Sequence, residues 1–172
     1  MSVKFESVAE DKTLDEIVSS KGFSKADILS LKENHMVLIL PDPTLARYIK
    51  KEGVDLLRKE TVTIKKSLRK QGIETEILAR KGAEIEFIEL REAAFDYGTF
   101  FIALEVVQTV LALIALYIET RHVEERPKDK IPTIKIKFRK LGSYRSFEIE
   151  GPADKVAKVL KKKETLQSLT SD

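Results

Sequence analysis

From Phe100 to Ile118 every residue is apolar except Glu105, Gln108, Thr109 and Tyr117. A run of that length has three fates: it spans a bilayer, fills a core, or meets a partner. A helix of about 20 apolar residues crosses the ~30 Å hydrocarbon layer, and this stretch meets that requirement only at its minimum. Lys and Arg crowd its C-terminal side, where the positive-inside rule places the cytoplasm. Glu105 and Gln108 argue the other way, because an ionisable group near the bilayer centre costs at least about 2.5 kcal/mol. Read as one helix over residues 98–122, the run places Gly98, Glu105, Gln108, Ala112, Ala115, Glu119 and His122 at steps of three, four or seven. They would share a narrow polar and small-residue face, and its alanines would permit close helix–helix contact. The expected orientation in a protein core turns Glu105 and Gln108 outward and buries Val107, Leu111, Ile114 and Ile118.

A chain of 172 residues suits one domain with an extension and can bury a core without staples. It contains no Cys, which excludes disulfides, zinc thiolates and a Cys nucleophile. Asn34 is the single asparagine, amid abundant Lys, Glu and Ile, a usage resembling that of hyperthermophile proteins. The start, MSVKFESVAEDK, lacks the basic and then apolar order of a secretory signal, so a cytoplasmic location is expected. A net charge of +3 is too small to imply nucleic acid. Its distribution is uneven, basic over 47–70 and 126–163 and acidic over 74–105, which favours association through complementary charge.

Capping signals open two short helices. Thr13 stands three residues before Glu16, and Ser24 three before Asp27; Gly22 separates the helices. Residues 1–34 are therefore expected to form a helical hairpin extension. It carries no basic face of the kind a DNA-recognition helix needs. HMVLILPDP reads as a buried strand ended by prolines. Leu45, Ile49, Leu56, Leu57, Ile64 and Leu68 recur at helical spacing, predicting a long helix from 45 to about 71, bent near Gly53 and stopped by Gly72. IETEILAR and AEIEFIEL alternate apolar with acidic residues around Lys81-Gly82, predicting a β-hairpin. After the apolar helix and a charged linker, TIKIKFRK and YRSFEIEG form a second hairpin. Pro152 then opens a helix, and residues 164–172 make a polar tail. The expected fold is α+β: a ferredoxin-like βαββαβ antiparallel sheet over 35–163, preceded by the hairpin and closed by a ββα ending.

Chemistry is sparse. His35 and His122 are the only histidines; the first abuts a strand and the second belongs to an exposed helix end, so no metal site is expected. Neither a glycine-rich phosphate loop nor a nucleophile elbow is present. Glu74, Glu76, Glu84 and Glu86 read as a solvated strand face rather than a cation site. A basic set remains, Lys65, Lys66, Arg69 and Lys70 at one helix end with Lys135, Lys137, Arg139 and Arg145 on two strands. It suits RNA only with exposed stacking aromatics, and Phe87, Phe138 and Phe147 fall on the inward face.

From Gly98 onward the order of apolar helix, charged spacer, TIKIKF, short turn and YRSFEIEGPADKVAKVLKK resembles the effector-associated constant component domains of prokaryotic conflict systems. The resemblance covers roughly the last 75 residues and lacks that family's glycine-rich lead-in. It implies a non-enzymatic adaptor whose partner is an effector or a sensor.

These readings converge on a non-catalytic interaction module without cofactor or metal. It self-associates or docks a protein partner through residues 100–118, with Phe101, Glu105, Gln108, Ala112, Ala115 and Glu119 as candidate interface. A single-span membrane protein anchored through 100–118, with cytoplasmic α/β parts, is the first alternative. A basic RNA-binding module is the second.

Overall fold

The computed structural model describes residues 2–89, 94–124 and 126–171. Leu90, the last residue of the acidic alternation, and Glu125 of the charged linker lie outside them.

Six strands form one mixed sheet in the order β1-β8-β7-β6-β2-β4. These are β1 (Lys4–Ala9), β2 (Val37–Leu40), β4 (Thr75–Ile77), β6 (Ala94–Ile102), β7 (Thr133–Lys140) and β8 (Arg145–Pro152); β3 (Val54–Arg58) and β5 (Glu84–Ile88) pair in a separate two-stranded parallel sheet. The helices are α1 (Leu14–Ser20), α2 (Lys25–Asn34), α3 (Lys59–Lys70), α4 (Val107–His122), α5 (Ala153–Leu160) and α6 (Lys163–Thr170).

This overturns the ferredoxin-like expectation. The β2–β4 and β6–β7 pairs are parallel, and only β2–β6, β7–β8 and β1–β8 are antiparallel. Two local misreadings produced the error. The first is the long helix predicted from 45, which resolves into a short 3-10 helix (Pro43–Tyr48), strand β3 and helix α3. Gly53, at φ +74°, turns the chain between the first two, and Leu56 and Leu57 extend beside β5 instead of coiling. The second is the acidic hairpin. Its first strand lies parallel to β2, with α3 supplying the crossover that parallel pairing requires. The connecting segment is pinned by Leu78 N–H donating to Ile39 O at 2.8 Å and by Arg80 on Asp55, which sends β5 to β3.

Several local expectations hold, and others do not. Thr13 caps α1, and Ser24 with Asp27 forms a full capping box on α2. The β7–β8 hairpin forms, with Ile134, Ile136 and Phe138 buried and Lys135, Lys137 and Arg139 on the other face. Pro152 closes β8 and flanks α5 rather than opening its first turn. The tail is ordered as α6, which buries Thr165 and Leu169. Strand β1, not anticipated, adds an edge beside β8.

The main core lies on one face of the sheet, where Ile64, Leu68, Val110, Leu111, Ile114, Ile118, Val156, Leu160 and Leu169 of α3 to α6 meet Val37, Ile39, Phe100, Ile102, Ile136 and Phe138. On the opposite face a smaller cluster joins Leu14, Val18 and Ile28 of the α1–α2 hairpin to Leu38, Leu78 and Phe101. The hairpin covers only part of that face. The uncovered remainder floors a cleft.

Candidate functional site

The apolar run folds in two pieces. Residues up to Ile102 are strand, so Gly98 and Phe101 belong to β6, and the helix begins at Val107. Within α4 the expected orientation is the observed one: Val107, Leu111, Ile114 and Ile118 are buried, while Glu105 (just before the helix), Gln108 and Ala112 are exposed. The stripe itself divides. Ala115 and His122 are fully buried, and Glu119 is half-buried and paired with Lys161. Among the described residues no helix is long and apolar enough to cross a membrane. What remains exposed on this face is led by Leu104 at 49% and Leu116 at 58%.

The histidine expected at an exposed helix end is also relocated. His122 is 0% exposed, tilted against the Phe95 ring, and its Nε2 is hydrogen-bonded to the Tyr97 hydroxyl. Burial, with the charges of Arg121 and Arg126 adding to it, lowers its pKa to about 4. The imidazole is thus neutral near pH 7. Its Nδ1 finds no partner among the described residues.

The basic residues do not converge. Lys65 and Arg69 ride on α3 and pair with Glu76 and Glu74, and α3 packs on the main-core face. Lys135, Lys137 and Arg139 project from the opposite face of the sheet, and Arg145 bonds the Ser7 hydroxyl at its edge.

That opposite face floors an open cleft of roughly 1270 Å³. One wall is Glu10, Ile17 and Lys21; the other runs from Pro41 through the 3-10 helix to Leu57, with Leu78 to Arg80 closing the end. A β-bulge shapes the floor. In register Asp96 faces Lys135 and Thr99 faces Lys137, so β6 advances three residues while β7 advances two. Gly98 is the extra residue. Its insertion keeps Tyr97 and Phe100 turned into the main core while Asp96 and Thr99 both line the cleft. Gly98 has φ +80°, and a Cβ there would stand 2.1 Å from Leu40 O, so no other residue fits.

Most charged groups around the cleft are already engaged. Glu10 accepts from Ser146 Oγ at 2.6 Å and Lys137 Nζ at 3.1 Å. Burial works to raise this carboxyl, and those two bonds outweigh it and hold its pKa down. Arg139 donates to the carbonyls of Ser143 and Lys12 and lies over the Phe101 ring. Asp55 accepts from Arg80 at 2.7 Å. Asp42 caps Thr44 through Oδ1 and pairs at 3.1 Å with the buried Arg58 through Oδ2.

Besides the exposed Lys50, Lys51 and Glu52, four lining groups keep free capacity among the described residues. Asp96 uses Oδ1 to accept the Gly98 N–H at 2.8 Å, and burial, with the Asp42 charge adding to it, pushes its pKa up. Its Oδ2 and the Thr99 hydroxyl have no hydrogen bond among the described residues. Lys135 reaches only Glu148, at 3.8 Å. Lys21 has its pKa lowered by burial, with Asp55 working against the change.

Of these residues sequence reasoning named Lys135, Lys137 and Arg139 but missed Asp96, Thr99, Lys21 and Glu10. The glycine inside a strand pattern at Gly98 was the available signal, since such a glycine marks a bulge. Among the described residues no group of three or more metal-ligating side chains gathers. No family model, curated protein or solved structure matches this chain.

Proposed function

We propose that the chain is a non-catalytic binding module whose working surface is the cleft above β6 and β7, where it holds a small polar ligand. One observation carries the reading. Among the described residues Asp96, Thr99, Lys21 and Lys135 keep unused hydrogen-bonding capacity in a cleft where Glu10, Asp42, Asp55, Arg80, Lys137 and Arg139 are already bonded. Concave sites with a few convergent polar groups over apolar walls are where small molecules bind, and Ile17, Leu40, Leu45, Ile49 and Leu56 supply those walls. Binding is favoured over turnover because no histidine lines the cleft and three of its five acids, Glu10, Asp42 and Asp55, are ion-paired. A thermal-shift panel of amino acids, dicarboxylates, sugar phosphates and nucleotides tests the idea. At least one class should raise the melting temperature of the native chain and shift an Ala46→Trp variant, whose indole would intrude on the cleft, by less. Absence of any shift, or an equal shift in both proteins, refutes it.

A second reading keeps the interaction role expected of the apolar run and moves it to the outer side of α4. Leu104 and Leu116 are exposed there beside Glu105, Gln108 and Ala112. Self-association through this face predicts a dimer by light scattering that Leu116→Lys dissociates; a native chain monomeric at high concentration rejects it.

A further inference from the structure

Asp96 and Lys135 are partners in the parallel β6–β7 register, on the same face, and parallel strands lie about 4.8 Å apart. Opposite charges so placed ordinarily join, yet no ion pair links them among the described residues. Asp96 is held back by the Gly98 N–H, a consequence of the bulge, and Lys135 leans across to Glu148 on β8. The result is an acid and a base side by side that feel each other's charge without forming an ion pair.

A ligand that satisfies both must carry an ammonium and a carboxylate within a few ångströms. Thr99, one step along β6, can donate a second hydrogen bond to the carboxylate. Beyond this polar floor the walls turn apolar at Leu40, Leu45, Ile49 and Leu56, so whatever extends from the charged end meets hydrocarbon.

Building on the cleft reading, we infer that the ligand is an α-amino acid with an apolar side chain, its ammonium on Asp96, its carboxylate on Lys135 and Thr99, and its side chain against the 3-10 helix wall.

Calorimetric titration at pH 7 with leucine, 4-methylpentanoate (no ammonium) and 3-methylbutylamine (no carboxylate) tests it. Leucine should bind, and each analogue should bind at least about tenfold more weakly. Asp96→Asn, which keeps an oxygen for the Gly98 N–H and so keeps the bulge, should weaken leucine by a similar factor without affecting 4-methylpentanoate. Lys135→Met should do the converse, sparing 3-methylbutylamine. Leucine binding no better than the analogues, or binding unchanged in both variants, overturns the assignment. If another class from the thermal-shift panel binds in an Ala46→Trp-sensitive manner and leucine does not, the ligand class is wrong and the cleft reading survives. If nothing binds, both fall.

Discussion

Lowering the pH from neutral should destabilise this protein through His122 before most of its carboxylates titrate. The imidazole is fully buried, with Tyr97 O–H on Nε2 and the Phe95 ring tilted against it. Its pKa falls from the ordinary 6.5 to about 4. In the unfolded chain the same group takes a proton at its ordinary value. Between those limits the unfolded state therefore binds a proton that the folded state refuses, and stability declines as pH falls. Above about pH 6.5 the group contributes no pH dependence; below about 4 the loss is complete. At about 1.4 kcal/mol per pH unit the total is about 3.5 kcal/mol, a large part of the 5–15 kcal/mol typical of a domain. Protonation would also put an N–H on both ring nitrogens, and Nδ1 has no acceptor among the described residues. Denaturant midpoints of the native chain and of His122→Gln, measured every half unit from pH 7.5 to 4.5, isolate the effect. The glutamine is comparable in size, can accept from Tyr97 and does not titrate. The native curve should fall by about 2–3 kcal/mol relative to the variant over that range. Parallel curves would show that the imidazole is not held neutral by burial and would refute the reasoning.

Gly98→Ala places a Cβ 2.1 Å from Leu40 O at a φ of +80°; a loss of more than about 2 kcal/mol in denaturant stability is expected, and a near-neutral result would deny the bulge. Leu111→Ala and Ile114→Ala should each cost roughly 2–5 kcal/mol, whereas Glu105→Leu, at an exposed position, should stay within about 0.5 kcal/mol. Asp42→Ala removes the acid 3.1 Å from buried Arg58 and should cost about 3–5 kcal/mol, with Asp42→Asn milder because it can still cap Thr44. Melting temperatures of the two variants side by side check the ranking.

The legible parts of this fold are those in which neighbouring residues decide the outcome. The caps at Thr13 and Ser24, the β7–β8 hairpin with its alternation, and the buried side of α4 all rest on contacts a few residues apart or on strict periodicity. Reading failed where one apolar pattern fits two structures. Leu56 and Leu57 suit a helix as well as a strand, and a distant strand, β5, settled the matter by pairing with them. Gly98-Thr99-Phe100-Phe101-Ile102 continues the composition of the helix that follows, yet it is held as strand between β2 and β7.

The cleft was less legible still. Lys135, Lys137 and Arg139 could be assigned to one strand face from alternation alone, because side chains of a strand point to opposite sides in turn. That Glu10 would reach Lys137 across 127 positions, and that Asp96 would stand opposite Lys135, depended on strand order and a one-residue bulge. By itself the sequence determined the local units, their amphipathic faces and the absence of cysteine chemistry, since these follow from covalent composition and short-range periodicity. Tertiary structure decided which strands pair, which histidine is buried and which charges are left unsatisfied. Those outcomes depend on the competition among distant surfaces for the same burial, and that competition leaves no periodic trace in the chain.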